Sequence, residues 1–355
     1  MLQFDTFTKC LKDTGREPEI HDMQTIDVHA HWFAPEWVEL LEREANANGA
    51  TMGRNDKGWS TIAIPGVALV QSFPSDMMDL DYMIREMDAA GIDLRVFSLT
   101  NPMLNWAPPE FGVRLARAYN DACAEAYAKY PQRFRGAMTL PMQSPELAVK
   151  ELKRAAELPG ICGVYMAMHI NGKNLDDKSF WPVYAECEAQ GLPLCLHPVN
   201  PCGIERMRNY HLRNLIGNPH EAAIAAADLI FGGVLDAFPR LEVLLPHAGG
   251  TFPWLVGRWD NGVARRKELT HMKQPASAYL RRFYYDTISH QPQVMRYLIE
   301  MVGVDRIVVG SDYNMDAGYP RPVEFVDRIP GLTAEERELI LSRNAARLLK
   351  RKSEQ

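Results

Sequence analysis

A chain of 355 residues, 46% hydrophobic and 24% charged, has ample material for a core and reads as a soluble globular protein. Its 39 basic and 45 acidic side chains give a formal charge of −6 with no basic block, which argues against nucleic acid or an anionic membrane surface as the main partner. Six scattered cysteines (Cys10, Cys123, Cys162, Cys187, Cys195 and Cys202) include no C-x-x-C pair, so they read as reduced thiols and not as a disulfide framework.

Residues 1–24 form a mixed, charged extension (Lys9, Lys12, Asp13, Arg16, Glu17, Glu19) without the apolar run of a signal peptide. The most apolar window, Ala222 to Phe238, is interrupted by Asp228, Gly232 and Gly233 and is too short to span a bilayer. The expectation is a cytoplasmic protein.

From Thr25 onward short apolar runs alternate with longer amphipathic stretches. The runs are Ile26–Val28, Leu94–Thr100, Phe134–Leu140, Ile161–Met166, Leu192–Leu196, Leu241–Leu245, Phe283–Thr287 and Ile307–Gly310. Helical patterns cover Leu80–Ala90, Glu110–Lys129, Pro145–Glu157, Phe180–Gln190, His220–Phe238 and Gln293–Met301, and Gly91, Gly191 and Gly303 sit where helix-ending residues belong. This rhythm predicts βα units on a parallel sheet, and eight strands match an α/β fold of the closed (β/α)8 TIM-barrel type spanning residues 25–355 as one domain. Residues 34–78, with Gly53, Gly58, Pro65, Gly66 and Pro74, read as an irregular insertion after the first strand that forms a small β lid over the mouth. Ala334–Leu349 reads as a closing helix on the barrel's outside.

In such a barrel the working residues sit at the C-terminal ends of the strands. The first strand ends in His29-Ala30-His31, whose i, i+2 spacing puts both imidazoles on one side. The fifth ends at His197, the sixth at His247-Ala248-Gly249-Gly250, and the eighth at Ser311-Asp312. Three imidazoles and one carboxylate suit a divalent metal, zinc first, with manganese, iron or cobalt as alternatives. On this reading His29, His31, His197 and Asp312 ligate, and a bound metal lowers the pKa of its water from ~15.7 toward ~7. His247 is then better used as a general acid/base than as a further ligand, and Asp312 orients the water as well as ligating. The end of the fourth strand offers His169 but no bridging residue before Lys173, which favours one metal, and His169 reads equally as a hydrogen-bonded loop histidine. Trp32, Phe33, Trp106, Trp254 and Trp259 are candidates to line a pocket for a planar substrate, Trp32 and Phe33 first because they adjoin the ligands, although tryptophans also serve simply to bury area. Arg206 and Arg208, flanking Tyr210, read either as carboxylate binders or as solvated loop arginines.

The ordered set HxH, His197-Pro198, His247-x-Gly249-Gly250 and Gly310-Ser311-Asp312-Tyr313, with Gly257-Arg258-Trp259-Asp260-Asn261, resembles the amidohydrolase superfamily. Within it the likeness is to the 2-amino-3-carboxymuconate-6-semialdehyde decarboxylase-like branch, from about Ile26 to Leu349 and including Glu86–Asp93. The resemblance implies one zinc on His29, His31, His197 and Asp312, with His247 as the catalytic histidine. It also implies that Arg258 reaches a neighbouring subunit's substrate carboxylate, so that the protein is a homodimer or larger, and that Tyr210 stands where that family has a site tryptophan. One departure concerns the family's second carboxylate-binding arginine, which lies in the insertion. The comparable stretch here, Ile64-Pro65-Gly66-Val67-Ala68, has none, and Arg54 is out of register. That puts the muconate semialdehyde itself in doubt and points to another carboxylate, such as an aromatic one; hydroxybenzoate decarboxylases of the group often have glutamate in the first motif, where this chain has His-Ala-His.

The expectation is a metal-dependent, non-oxidative decarboxylase of an unsaturated or aromatic carboxylic acid, without organic cofactor. Ligands alone leave open a hydrolase or hydratase of the same fold (lactone, amide or C–C bond), and, from another class, a barrel that stores or senses metal without catalysis.

Overall fold

The computed structural model describes residues 24–349 apart from 68, 314 and 316, so the expected extension over residues 1–24, and Cys10 with it, lies almost wholly outside the described residues. Strand β1 (Ile26–His31) leads to helix α1 (Pro35–Glu44), to the short strands β2 (Thr51–Arg54), β3 (Ser60–Ala63) and β4 (Gln71–Ser72), and to α2 (Leu80–Ala90). Strand–helix units follow: β5 (Leu94–Ser98) with α3 (Pro109–Lys129), β6 (Phe134–Thr139) with α4 (Pro145–Ala155), and β7 (Ile161–Ala167) with α5 (Trp181–Gln190). Next come β8 (Leu194–His197) with α6 (Asn218–Phe231) and α7 (Val234–Ala237), and β9 (Val243–Leu245) with α8 (Phe252–Arg265). The last units are β10 (Phe283–Asp286) with α9 (Pro292–Val302) and β11 (Ile307–Val308) with α10 (Pro322–Asp327). The last described elements, α11 (Ala334–Glu338) and α12 (Asn344–Leu349), run on through a π-helical turn at Leu339–Arg343 and together form the closing helix expected over Ala334–Leu349.

Eight of these strands form one sheet in the order β1-β5-β6-β7-β8-β9-β10-β11, every pair parallel. The ring closes where the Val28 amide donates to the Val309 carbonyl at 2.9 Å and Ala30 bridges to Tyr313. All residues of these eight strands are buried, as a parallel sheet covered by helices requires. The expected (β/α)8 barrel is therefore the observed fold.

Helix starts are set by proline, whose fixed φ suits the first turn: Pro35, Pro109, Pro145, Pro219, Pro253, Pro292 and Pro322 all sit there. Helices α2 and α5 end at Gly91 and Gly191 in the left-handed conformation. The expected helix His220–Phe238 is instead two, broken after Phe231. A Cβ on Gly232 would lie 2.2 Å from the Asp176 Cβ, so the loop before α5 presses on the chain there, and Gly233 then turns at φ 75°.

The segment expected to be irregular is more ordered than that. Residues Pro35–Glu44 form α1, burying Trp37, Val38, Leu40 and Leu41 on one face, and β2–β3–β4 pair as an antiparallel sheet. The Asn200 amide reaches the Gly66 carbonyl at 3.4 Å, which brings this segment to the loop leaving β8. No helix among the described residues is long and apolar enough to cross a membrane.

Candidate metal centre and active site

Strand ends deliver the side chains. His29 and His31 leave β1 with ring centroids 5.1 Å apart, and His197, the last residue of β8, lies 4.9 Å from His31 and 5.4 Å from His29. Asp312 follows β11 in the left-handed conformation (φ 53°), with its carboxylate against the two β1 imidazoles. One ligand atom from each of His29, His31, His197 and Asp312 falls within 4.8 Å of the others, and all four residues are buried.

Tautomers are fixed from behind. The Ser98 hydroxyl donates to the Ala30 carbonyl (2.8 Å), so it accepts from His31 Nδ1 (3.0 Å). His29 Nδ1 donates to Asp286 Oδ2 at 2.7 Å. The Nε2 atoms of both rings are thus left with bare lone pairs facing Asp312 Oδ1, at 2.9 Å from His31 and 3.5 Å from His29. His29 Nε2 and His197 Nδ1 are buried without any hydrogen-bond partner. Acceptors crowded together and orphaned in this way cost stability unless a cation sits among them. The donor set therefore fits a divalent metal, and it consists of His29, His31, His197 and Asp312, the four residues singled out from the sequence.

Charge follows the same geometry. Burial, with the neighbouring imidazoles adding to it, pushes His197 well below the usual histidine pKa. Burial also lowers His31, despite its contact with Asp312. For His29 burial is outweighed by the hydrogen bond to Asp286 and the Asp312 charge, and its pKa is raised. Burial acts to raise Asp312, but the His247 and His31 imidazoles prevail and hold it well below the carboxylate range. Neutral imidazoles opposite a carboxylate are the protonation states a metal requires.

His247 follows β9 with Nε2 3.7 Å from Asp312 Oδ2, close to the cluster but outside the four-ligand set. It adopts φ 55° and Ala248 φ 54°. Gly250 is required next to them: a Cβ there would stand 1.9 Å from the Pro219 carbonyl oxygen. A cavity of about 320 Å³ opens beside His247 and Asp312, walled by Leu215, Pro253, Trp254, Tyr297 and Leu298.

The substrate-facing expectations fare differently. Trp32 is buried, stacked on Phe97 at 4.7 Å, and lines a separate cleft with Met78 and Leu80. Phe33 is wholly buried against Trp37 and Phe73. Neither lines the cavity beside His247: Phe33 packs on Trp37 of α1, and Trp32 on Phe97 of β5 and Tyr119 of α3. Tyr210 is 85% exposed and does not line it either, although Asn214 and Leu215 of the same loop do. Arg258 is exposed on α8, away from this cavity. Arg206 and Arg208 are exposed loop residues. Trp254 joins the cavity wall, whereas Trp106 and Trp259 pack against Phe111 and Phe252. His169 is a hydrogen-bonded loop residue, accepting from Gly172 N and bonded to the Asn200 carbonyl. Lys173 pairs with Asp177 and Arg54 with Glu42. Sequence reasoning passed over Asp286, Ser98 and the cavity residue His290; the exits of the second and seventh strands, read like the others, hold the first two.

A parallel eight-stranded barrel with a His3Asp cluster at the strand ends and a fifth polar side chain poised beside it defines a metal-dependent enzyme class. The chain belongs to the amidohydrolase family, matching it over residues 26–351. It is 31% identical over 327 residues to the 2-amino-3-carboxymuconate-6-semialdehyde decarboxylase of Dictyostelium discoideum, covering 91% of each chain. Among solved structures, it is similar to 5-carboxyvanillate decarboxylase from Sphingomonas paucimobilis, with TM-score 0.78 and 27% identity over 92% of this chain and 99% of the other. It is also similar to a dihydroxybenzoic acid decarboxylase from Polaromonas sp. JS666 solved with bound manganese and the inhibitor 2-nitroresorcinol. That match has TM-score 0.75 and 26% identity over 92% of this chain and 96% of the other.

Proposed function

We propose that the protein is a metal-dependent, non-oxidative decarboxylase of an aromatic or unsaturated carboxylic acid. The observation that carries this reading is the placement of His247. It stands beside the buried His3Asp cluster and opens onto the cavity, but is not one of the four clustered ligands. A barrel that only stored metal would not need a proton-transfer group there. The relatives, whose names are those of decarboxylases, support the same class over hydrolase or hydratase.

His29, His31, His197 and Asp312 would hold the metal, which supplies a Lewis acid for the substrate's oxygens as negative charge develops. The net change replaces a carbon–carboxylate bond with a carbon–hydrogen bond and releases carbon dioxide. His247 would hold the proton and deliver it to the carbon that loses the carboxylate, with Asp312 orienting that imidazole at 3.7 Å. The apolar walls Leu215, Pro253 and Leu298, with the Trp254–Tyr297 stack (4.8 Å), would take a planar substrate body and exclude water.

Three imidazoles with a carboxylate make zinc the first choice of metal, manganese being the runner-up. Four of the thiols, Cys123, Cys162, Cys187 and Cys195, are buried and form no disulfide, which fits a reducing cytoplasm. We also propose a homodimer or larger oligomer. Tyr210, Leu215, Ile216 and Trp254 are all more than half exposed, a concentration of apolar surface expected of an interface, and Arg258 on α8 is free to serve a partner's site.

Purified protein assayed for carbon dioxide against acid release, over a panel of muconates and hydroxybenzoates, tests the class; acid without carbon dioxide would make it a hydrolase. His197→Ala is expected to lose metal and activity together. His247→Ala should keep the metal and fall about 10²–10⁴-fold in kcat. Full turnover by the first variant, or by the second, would reject the assignment of that residue.

A further inference from the structure

One buried carboxylate touches both halves of this site. Asp286, at the end of β10, is fully buried. Its Oδ2 accepts from His29 Nδ1 at 2.7 Å and from the His247 amide at 3.0 Å. Its Oδ1 accepts from the Ala248 amide at 2.9 Å and the Ile288 amide at 3.1 Å. Successive amides of His247 and Ala248 converge on one carboxylate because both residues are left-handed, a conformation that side-chain-bearing residues avoid unless their surroundings impose it.

We propose that Asp286 is a positioning residue with two separable duties: it orients His29 for the metal, and it holds the His247 turn so that this imidazole stays beside Asp312. The first duty follows from the imidazole bond, which fixes the tautomer and turns Nε2 toward the cluster. The second duty needs no metal at all. It acts through the backbone, by tying the strained turn after β9 to the neighbouring strand β10. The inference rests on the reading of His247 as the proton-transfer group.

Asp286→Asn keeps the shape but puts an amide NH2 where two or more donors now converge. Metal affinity, measured by competition with a chromogenic chelator, is expected to fall about 10–100-fold. At saturating metal, kcat should still be about 10²-fold low, because a displacement of the order of 1 Å costs that much, while KM changes little. A residue that only tuned the metal would regain wild-type kcat once metal was saturating, and that result would overturn the proposal. Unchanged metal affinity would overturn it equally. Amide hydrogen exchange of the unmutated chain gives an answer even where the variant fails to fold. The His247 and Ala248 amides should exchange slowly although they lie in an irregular turn, and exchange at the rate of an open loop would refute the anchoring. His247→Ala separates the two layers. If that variant keeps full turnover the catalytic reading itself fails, whereas a dead His247→Ala with a fully active, metal-saturated Asp286→Asn removes only the role given to Asp286.

Discussion

At the scale of single residues the site is governed by which ring nitrogen carries the proton. Ser98 and Asp286 take the Nδ1 protons of His31 and His29, so both Nε2 lone pairs turn inward. The two supports differ in charge, and the rings differ accordingly: His31 is lowered by burial, whereas the Asp286 hydrogen bond lifts His29 above the ordinary histidine value of 6.5. A metal binds only the neutral ring and must displace any proton held there. Metal affinity should therefore be full above the raised pKa of His29 and weaken as pH falls through it, by up to tenfold per pH unit for one proton. Chelator competition at pH 8, 7 and 6 checks this. A flat profile over that range would mean that Asp286 does not favour the charged ring.

The four clustered side chains were legible in the sequence because each stands where an apolar run ends, and a barrel gathers those positions at one mouth. Asp286 stands at such an end too, after Phe283-Tyr284-Tyr285, but an aspartate closing an aromatic run carries no signal until its partners, residues 29 and 247, are seen in space. Trp32 and Phe33 show the converse. Adjacency to a ligand along the chain suggested a shared pocket, but α1 begins four residues beyond His31, Phe33 packs on Trp37 of that helix, and Trp32 stacks on Phe97 of β5.

At the scale of elements, repetition is what made the chain readable. Strands and helices that alternate support one another's assignment, and the strand runs and most helix bounds fall within a few residues of those observed. The segment between β1 and α2 lies outside the repeat, and its glycines and prolines hid α1, although Trp37, Val38, Leu40 and Leu41 already carry a helical spacing. Helix α6 carries a different strain. Asp228 on this helix keeps its Oδ2 out of water, while Oδ1 accepts from Asn174 at 3.1 Å and the Leu175 amide also favours the charged form. Burial, with Asp176 nearby, pushes its pKa up to about 7. The folded state thus holds the proton more tightly than the unfolded chain. Stability from this group is complete below the unfolded value of 3.8 and is lost as pH rises toward 7. Asp228→Asn, which mimics the neutral form, should raise the Tm by about 2–4 °C at pH 8 and by less at pH 5. An equal shift at both values would show that the carboxylate's charge is not what costs stability.

For the whole molecule, the barrel explains why residues 29 and 312 meet: closure sets the segment after the last strand against the first, with the His31 amide donating to the Tyr313 carbonyl at 2.6 Å. What closure leaves unfinished is the mouth. Among the described residues, five of the six exposed large hydrophobic side chains (Tyr210, Leu215, Ile216, Trp254 and Tyr297) belong to the loop after β8 and to α8 and α9, elements that also contribute to the cavity wall. Exposed singly such residues need no explanation; three of them wall one cavity, and together they support the proposed contact with a second copy. That surface was invisible in the sequence, since Leu215 and Ile216 look like any core pair until the loop is placed. Sedimentation should show a dimer or larger species at assay concentrations. Tyr210→Lys with Ile216→Lys should weaken association by about 2 kcal/mol or more, roughly 30-fold, through loss of an aromatic anchor and burial of charge. An active wild-type monomer would mean that this rim stays in water and that the cavity is complete within one chain.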